Sequence, residues 1–153
     1  FYLLNTDQKV GDEINLIKLN NANEIPNFGW PISSYGEHYD GKFRKDSPLY
    51  KSHSKYGFNE PIYYFKRSRL GVNQIIYSKK IIKNSNLKNY FVTSLNGKTI
   101  FIFENNLKEN NFKMIDKVYY GKRIRDIEII DDIIIITDES YTPSINFLMI
   151  ESD

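Results

Sequence analysis

The sequence predicts an all-β fold, and three observations carry that prediction. Short apolar and aromatic runs recur at regular spacing, each closed by a turn signal. The residues that fill them are the aromatic and β-branched types that suit a pleated surface: 12 Tyr, 10 Phe and runs such as "DIIIITD" at 132–138. Helical periodicity is almost absent. Several strands at this spacing imply a sandwich, a barrel or a propeller.

The strands are expected, in order, at 13–18, 61–65, 74–77, 90–94, 99–104, 112–119, 125–130, 133–137 and 146–150. Turns between them are expected at Asn96-Gly97, at "ENN" (104–106) and at Asp131-Asp132. The run 133–136 has no polar alternation, which predicts a strand buried on both faces. Residues 32–60 have little pattern and read as an elaborate loop laid over one face.

Composition narrows the function classes. A chain of 153 residues is long enough for a core of its own. Its net charge of +2 lacks the clustered basic excess of a nucleic-acid channel or an acidic-membrane anchor. Without cysteine there is neither a disulfide framework nor a thiolate metal site, and the redox compartment stays open. No apolar stretch reaches the roughly 18 residues of a membrane-spanning helix. The chain opens at Phe1 in "FYLL", without a signal segment, and reads as a fragment or trimmed chain whose parent's destination is not visible.

Residues 27–41, "NFGWPISSYGEHYDG", place Phe28, Trp30 and Pro31 beside several tyrosines and glycines. The stretch is too broken for a helix and too irregular for a strand, so it reads as an ordered loop, the kind of element on which sites concentrate.

Taken with "GDEINLIK" (11–18), "GFNEPIYYF" (57–65), "VTSLNGKTIF" (92–101) and "GKRIRDIEI" (121–129), this loop resembles the soluble aldose sugar dehydrogenases. These form the glucose/sorbosone dehydrogenase family, quinoprotein β-propellers that use pyrroloquinoline quinone (PQQ). The resemblance covers nearly the whole chain. It implies the C-terminal blades of a six-bladed propeller, one partial domain over 1–153 with the N-terminal blades missing.

The resemblance also implies site residues. A structural Ca2+ is expected on the Glu13 carboxylate and the Phe28 backbone carbonyl, oxygen ligands that suit a hard cation. The sequence alone equally allows Glu13 as a solvated charge and Trp30 as a packed aromatic. In "RIRD", alternation puts Arg123 and Arg125 on one face of a strand. In the family such arginines reach the carboxylates and quinone oxygens of PQQ, for which the guanidinium fork is suited; a solvated surface pair is the alternative.

Three segments depart from the family pattern. Thr6, Asp7 and Gln8 stand where a His-Gly-Pro or Gln-Gly-Pro segment is expected to hold the calcium bound to PQQ. Asn96 replaces a cofactor-contacting Lys, and "KRSRLGVNQ" (66–74) replaces a Pro-Ser-Ile segment. The family's catalytic base, a histidine on an earlier blade, has no counterpart here. It would take the proton of the anomeric hydroxyl as hydride passes to the quinone and calcium polarises it. His38 and His53 sit in the loop region without metal spacing or a neighbouring nucleophile, and read as surface or loop-packing residues.

No phosphate-binding Gly-rich loop, His-Glu-x-x-His helix or Cys/His zinc spacing is present. Asp131-Asp132 reads as a hairpin turn rather than a catalytic pair. Two functions remain open. One is part of a PQQ-dependent aldose dehydrogenase forming a lactone, with a small sugar substrate, an external electron acceptor and a periplasmic or secreted location. The other is a degenerate propeller of the same fold serving as a binding module.

Overall fold

The computed structural model describes residues 2–5, 11–17, 25–37, 50–66, 69–78, 87–106 and 111–149. Its elements are ten strands and one short 3-10 turn, Ser54–Tyr56, with no α-helix among the described residues. The chain divides into two compact units, Phe1–Gly71 and Val72–Asp153.

The first unit holds a three-stranded antiparallel sheet in the order β1 (Tyr2–Asn5), β2 (Glu13–Leu16), β3 (Tyr63–Tyr64). Strand β2 is central, and Glu13, Ile14 and Asn15 are all buried. The loop after it is built by Asn27 and Gly29. The Asn27 side chain accepts the Gly29 N–H at 2.9 Å, and the Gly29 carbonyl accepts the N–H groups of Ile32 and Ser33 at 2.6 and 2.8 Å. Gly29 has φ of +88°, and a Cβ there would meet the Phe58 ring at 2.8 Å. Glycine is needed on both counts. A parallel bridge joins Ser33 to Tyr50.

The second unit contains two antiparallel sheets. Strands β4 (Val72–Ser78), β5 (Lys88–Ser94), β6 (Thr99–Asn106) and β7 (Asn111–Tyr119) form a four-stranded meander. Strands β8 (Arg123–Ile130), β9 (Ile133–Glu139) and β10 (Ser144–Met149) form a three-stranded one. Antiparallel meanders of this kind are the units from which propeller blades are built. The core joins the two sheets: Phe91, Ile100 and Ile102 from one pack with Ile124, Ile127, Ile134 and Ile136 from the other.

Three bulges shape this unit, each where one strand carries an extra residue. They fall at Asn73 in β4, Ile115 in β7 and Arg125 in β8. The bulge in β8 has a sequence cause. Ile124 and Ile127 are three apart and would face opposite sides of a regular strand, yet both are buried. One extra residue between them resets the phase.

Two sequence expectations are corrected. The run 133–136 is not buried on both faces: Ile134 and Ile136 are buried, Ile135 is intermediate and Ile133 is exposed. Strand β9 is the middle strand of its sheet, so its backbone is paired on both sides while its side chains alternate in the ordinary way. Residues 104–106 are not a turn but the end of β6, paired with β7. The expected turns at Asn96-Gly97 and Asp131-Asp132 do connect β5 to β6 and β8 to β9. Strand β1 and the 3-10 turn had no sequence signal.

Candidate functional site

In the second unit, the Asn96 turn and the start of β8 lie at the same end of the sheet. Thr99 pairs with Tyr119, and the Lys98 carbonyl accepts the N–H groups of Tyr120 and Gly121 at 2.8 and 3.1 Å. This brings Asn96, two residues before Lys98, to the end from which Arg123 and Arg125 leave.

Both arginines converge on one atom. Arg123 Nε donates to Glu139 Oε2 at 3.0 Å, and Arg125 Nη2 reaches the same oxygen at 2.5 Å. The three side chains are 40%, 53% and 43% exposed. The hydrogen bond from Arg123, with the charges of both guanidiniums, holds the Glu139 carboxyl below its ordinary range. Glu139 was not singled out by sequence reasoning. Arg123 and Glu139 are cross-strand partners, as the bulge at Arg125 dictates.

The altered segment 66–74 is wired to this pair. Asn73 Nδ2 donates to the Arg125 carbonyl at 3.0 Å, and its Oδ1 accepts the Thr93 hydroxyl at 3.1 Å. Gln74 Oε1 accepts the Ile127 N–H at 2.8 Å. The bulged residue of β4 therefore fixes the backbone of the bulged residue of β8.

Beside the pair, Asp138 is buried in a web of donors. Its Oδ2 accepts from Ser144 Oγ (2.6 Å), Asn146 Nδ2 (2.9 Å), Tyr120 Oη (3.0 Å) and Lys122 Nζ (3.1 Å). These bonds, Ser144's first, hold its carboxyl well below the usual carboxylate range. Burial and the bond to Asp138 push the Tyr120 phenol up to about 12.

In the first unit, Glu13 and His53 are both 0% exposed, with His53 Nε2 3.4 Å from Glu13 Oε1. The same oxygen accepts the Tyr35 N–H at 3.1 Å. Gly11 sits against the Gly36 backbone, where a Cβ would not fit, and this presses the start of β2 onto the loop. The Tyr35 ring stacks on His53 at 5.3 Å and on Tyr64 at 3.9 Å. Its hydroxyl donates to Glu60 at 3.0 Å, and Glu60 also accepts from Ser54. Burial first, then the bond to Glu60, pushes the Tyr35 phenol up to about 12.

Glu13 is thus a buried carboxylate whose Oε1 accepts the Tyr35 N–H, not a solvated charge. A carboxylate is an oxygen donor of the type a hard cation takes. Among the described residues no three His, Asp or Glu side chains form a metal cluster. Trp30 is 43% exposed rather than packed, and with Phe28, Asn27 and Asn15 it lines a cleft of about 470 Å³. His53 is a loop-packing histidine, as expected. Thr6, Asp7, Gln8 and His38 lie outside the described residues. No helix among the described residues is long and apolar enough to cross a membrane.

The arginine fork fits a carboxylate-bearing group, because a carboxylate oxygen already stands in it. No curated protein and no solved structure matches the chain. The family profile described as Glucose / Sorbosone dehydrogenase matches residues 3–145. With that match over blades of the expected kind, the chain belongs to the glucose/sorbosone dehydrogenase family.

Proposed function

We propose that this chain is part of a PQQ-dependent dehydrogenase that oxidises an aldose at its anomeric carbon to the lactone and passes the electrons to an external acceptor. The observation that carries the reading is the convergence of Arg123 and Arg125 on a single carboxylate oxygen. Two guanidiniums aimed at one point suit a rigid, planar polyacid. PQQ, when bound, supplies the hydride acceptor.

The chain's own residues bind and orient. Arg123 Nε and Arg125 Nη2 present the fork, and Asn73 keeps the Arg125 backbone in place. Asn96 offers a neutral amide where a cation would add attraction. Family membership assigns the base that takes the anomeric proton to another part of the protein, and His53 is wholly buried. Calcium on Glu13 and the Phe28 carbonyl, and a periplasmic or secreted location, rest on family membership.

The test is titration of the full-length apo-protein with PQQ and calcium, followed by dye-linked oxidation of several aldoses with lactone analysis. Charge-assisted hydrogen bonds contribute about 1.5–3 kcal/mol, so Arg125→Ala is expected to weaken PQQ binding about tenfold or more. Asn96→Lys is expected to strengthen it. Saturable binding indifferent to Arg125→Ala overturns the site, and a folded protein that binds no PQQ favours the non-catalytic module.

For the metal, Glu13→Gln is expected to lower the thermal midpoint more in calcium than in chelator. An equal loss in both assigns Glu13 a packing role.

A further inference from the structure

We propose that Glu139 is a built-in competitor for the arginine fork: an internal carboxylate that keeps Arg123 and Arg125 assembled and must swing out when a ligand carboxylate enters. The geometry carries this. Both guanidiniums meet the same oxygen, Oε2, at 3.0 and 2.5 Å, the arrangement a bound carboxylate would adopt. All three side chains are about half exposed, so Glu139 leaves by side-chain rotation without opening the core.

Strand register delivers it there. Glu139 faces Arg123 across the β8–β9 ladder, so its backbone is fixed at the fork whatever its side chain does. Asp138, next in the strand, is turned inward and engages Lys122. Alternation thus sorts the cations, Lys122 to the buried acid and the two arginines to the exposed one. With Glu139 in place the three groups carry a net charge of +1, and without it +2. An incoming polyanion therefore meets both a blocked fork and a repelling charge.

Glu139 is a positioning residue, and its role with PQQ rests on the function proposed above. The competition itself concerns any polycarboxylate, so the test uses two probes on the full-length protein. Citrate is titrated while the Arg123 Nε–H resonance is followed by NMR, and PQQ is titrated by equilibrium dialysis. Loss of one unit charge within a few ångströms predicts that Glu139→Gln tightens citrate binding by about fivefold or more at low salt, with the gain shrinking as salt rises. Adding Arg125→Ala to Glu139→Gln is expected to abolish the gain.

The Arg123 Nε–H resonance should move on Glu139→Gln before any ligand is added. Equal or weaker citrate binding by Glu139→Gln, or an unmoved resonance, overturns the proposal. If citrate responds as expected and PQQ binds neither protein, the internal competitor stands and the PQQ reading falls. Tighter binding of both probes supports the two together.

Discussion

Asp138 and Glu139 are neighbours whose carboxylates meet opposite fates, because successive strand residues point to opposite faces. Asp138 turns inward to the donors of β10 and the β7–β8 connection, whereas Glu139 turns outward to the arginines. Asp138's folded carboxyl titrates below its unfolded value, so the unfolded chain binds the proton first as pH falls. Its contribution is therefore present above the unfolded carboxylate pKa of about 3.9 and is lost as pH falls further. Asp138→Asn is expected to lower the thermal midpoint at pH 7 by about 5 °C or more. The gap between variant and wild type should narrow below about pH 4. Urea unfolding between pH 3 and 7 checks this, and a gap that stays constant with pH would refute the assignment.

The bulge in β8 decides more than any single side chain. Counting back from the Asp131-Asp132 turn without it places Asp138 opposite Arg125; the extra residue instead pairs Ile124 with Asp138 and Arg123 with Glu139. The same insertion puts Ile124 and Ile127 into one core. Ile124→Ala and Ile127→Ala are each expected to cost about 2–5 kcal/mol, as buried large-to-small changes do. Glu128→Ala, on the exposed side between them and the turn, is expected to stay within about 0.5 kcal/mol. Denaturant titrations measure all three. A mild effect at Ile127 beside a severe one at Ile124 would mean that the strand runs without its bulge.

At the scale of the whole molecule, the two blades of the second unit differ at their edges. The four-stranded one ends on β7, and the three-stranded one ends on β10, which pairs only with β9 among the described residues. Along β10, Ile145, Phe147 and Met149 are 63%, 68% and 73% exposed on one face. An apolar strand with a free edge favours association with other chains. The 153-residue chain by itself is expected to self-associate at micromolar concentration, and Phe147→Lys to reduce this. Analytical ultracentrifugation of the two proteins is the measurement; a wild-type chain that stays monomeric would refute the expectation.

The sequence by itself determined the all-β class, the order of the strands from 72 onward and the hairpins at Asn96-Gly97 and Asp131-Asp132. These depend on side-chain periodicity and turn chemistry, which are local. It also marked Arg123 and Arg125 as a pair on one face. Only the tertiary structure decided what they face, because Glu139 reaches them through a one-residue shift in register set by the burial of Ile124 and Ile127 against another sheet. Likewise "KRSRLGVNQ" reads as a departure in sequence, while folding turns Asn73 into the clamp on the Arg125 backbone. For Glu13 the sequence left a calcium ligand and a solvated charge both open, and its burial against His53 and Tyr35 came only with β2 as a central strand. Burial and register are properties of the assembled sheets, and no local pattern encodes them.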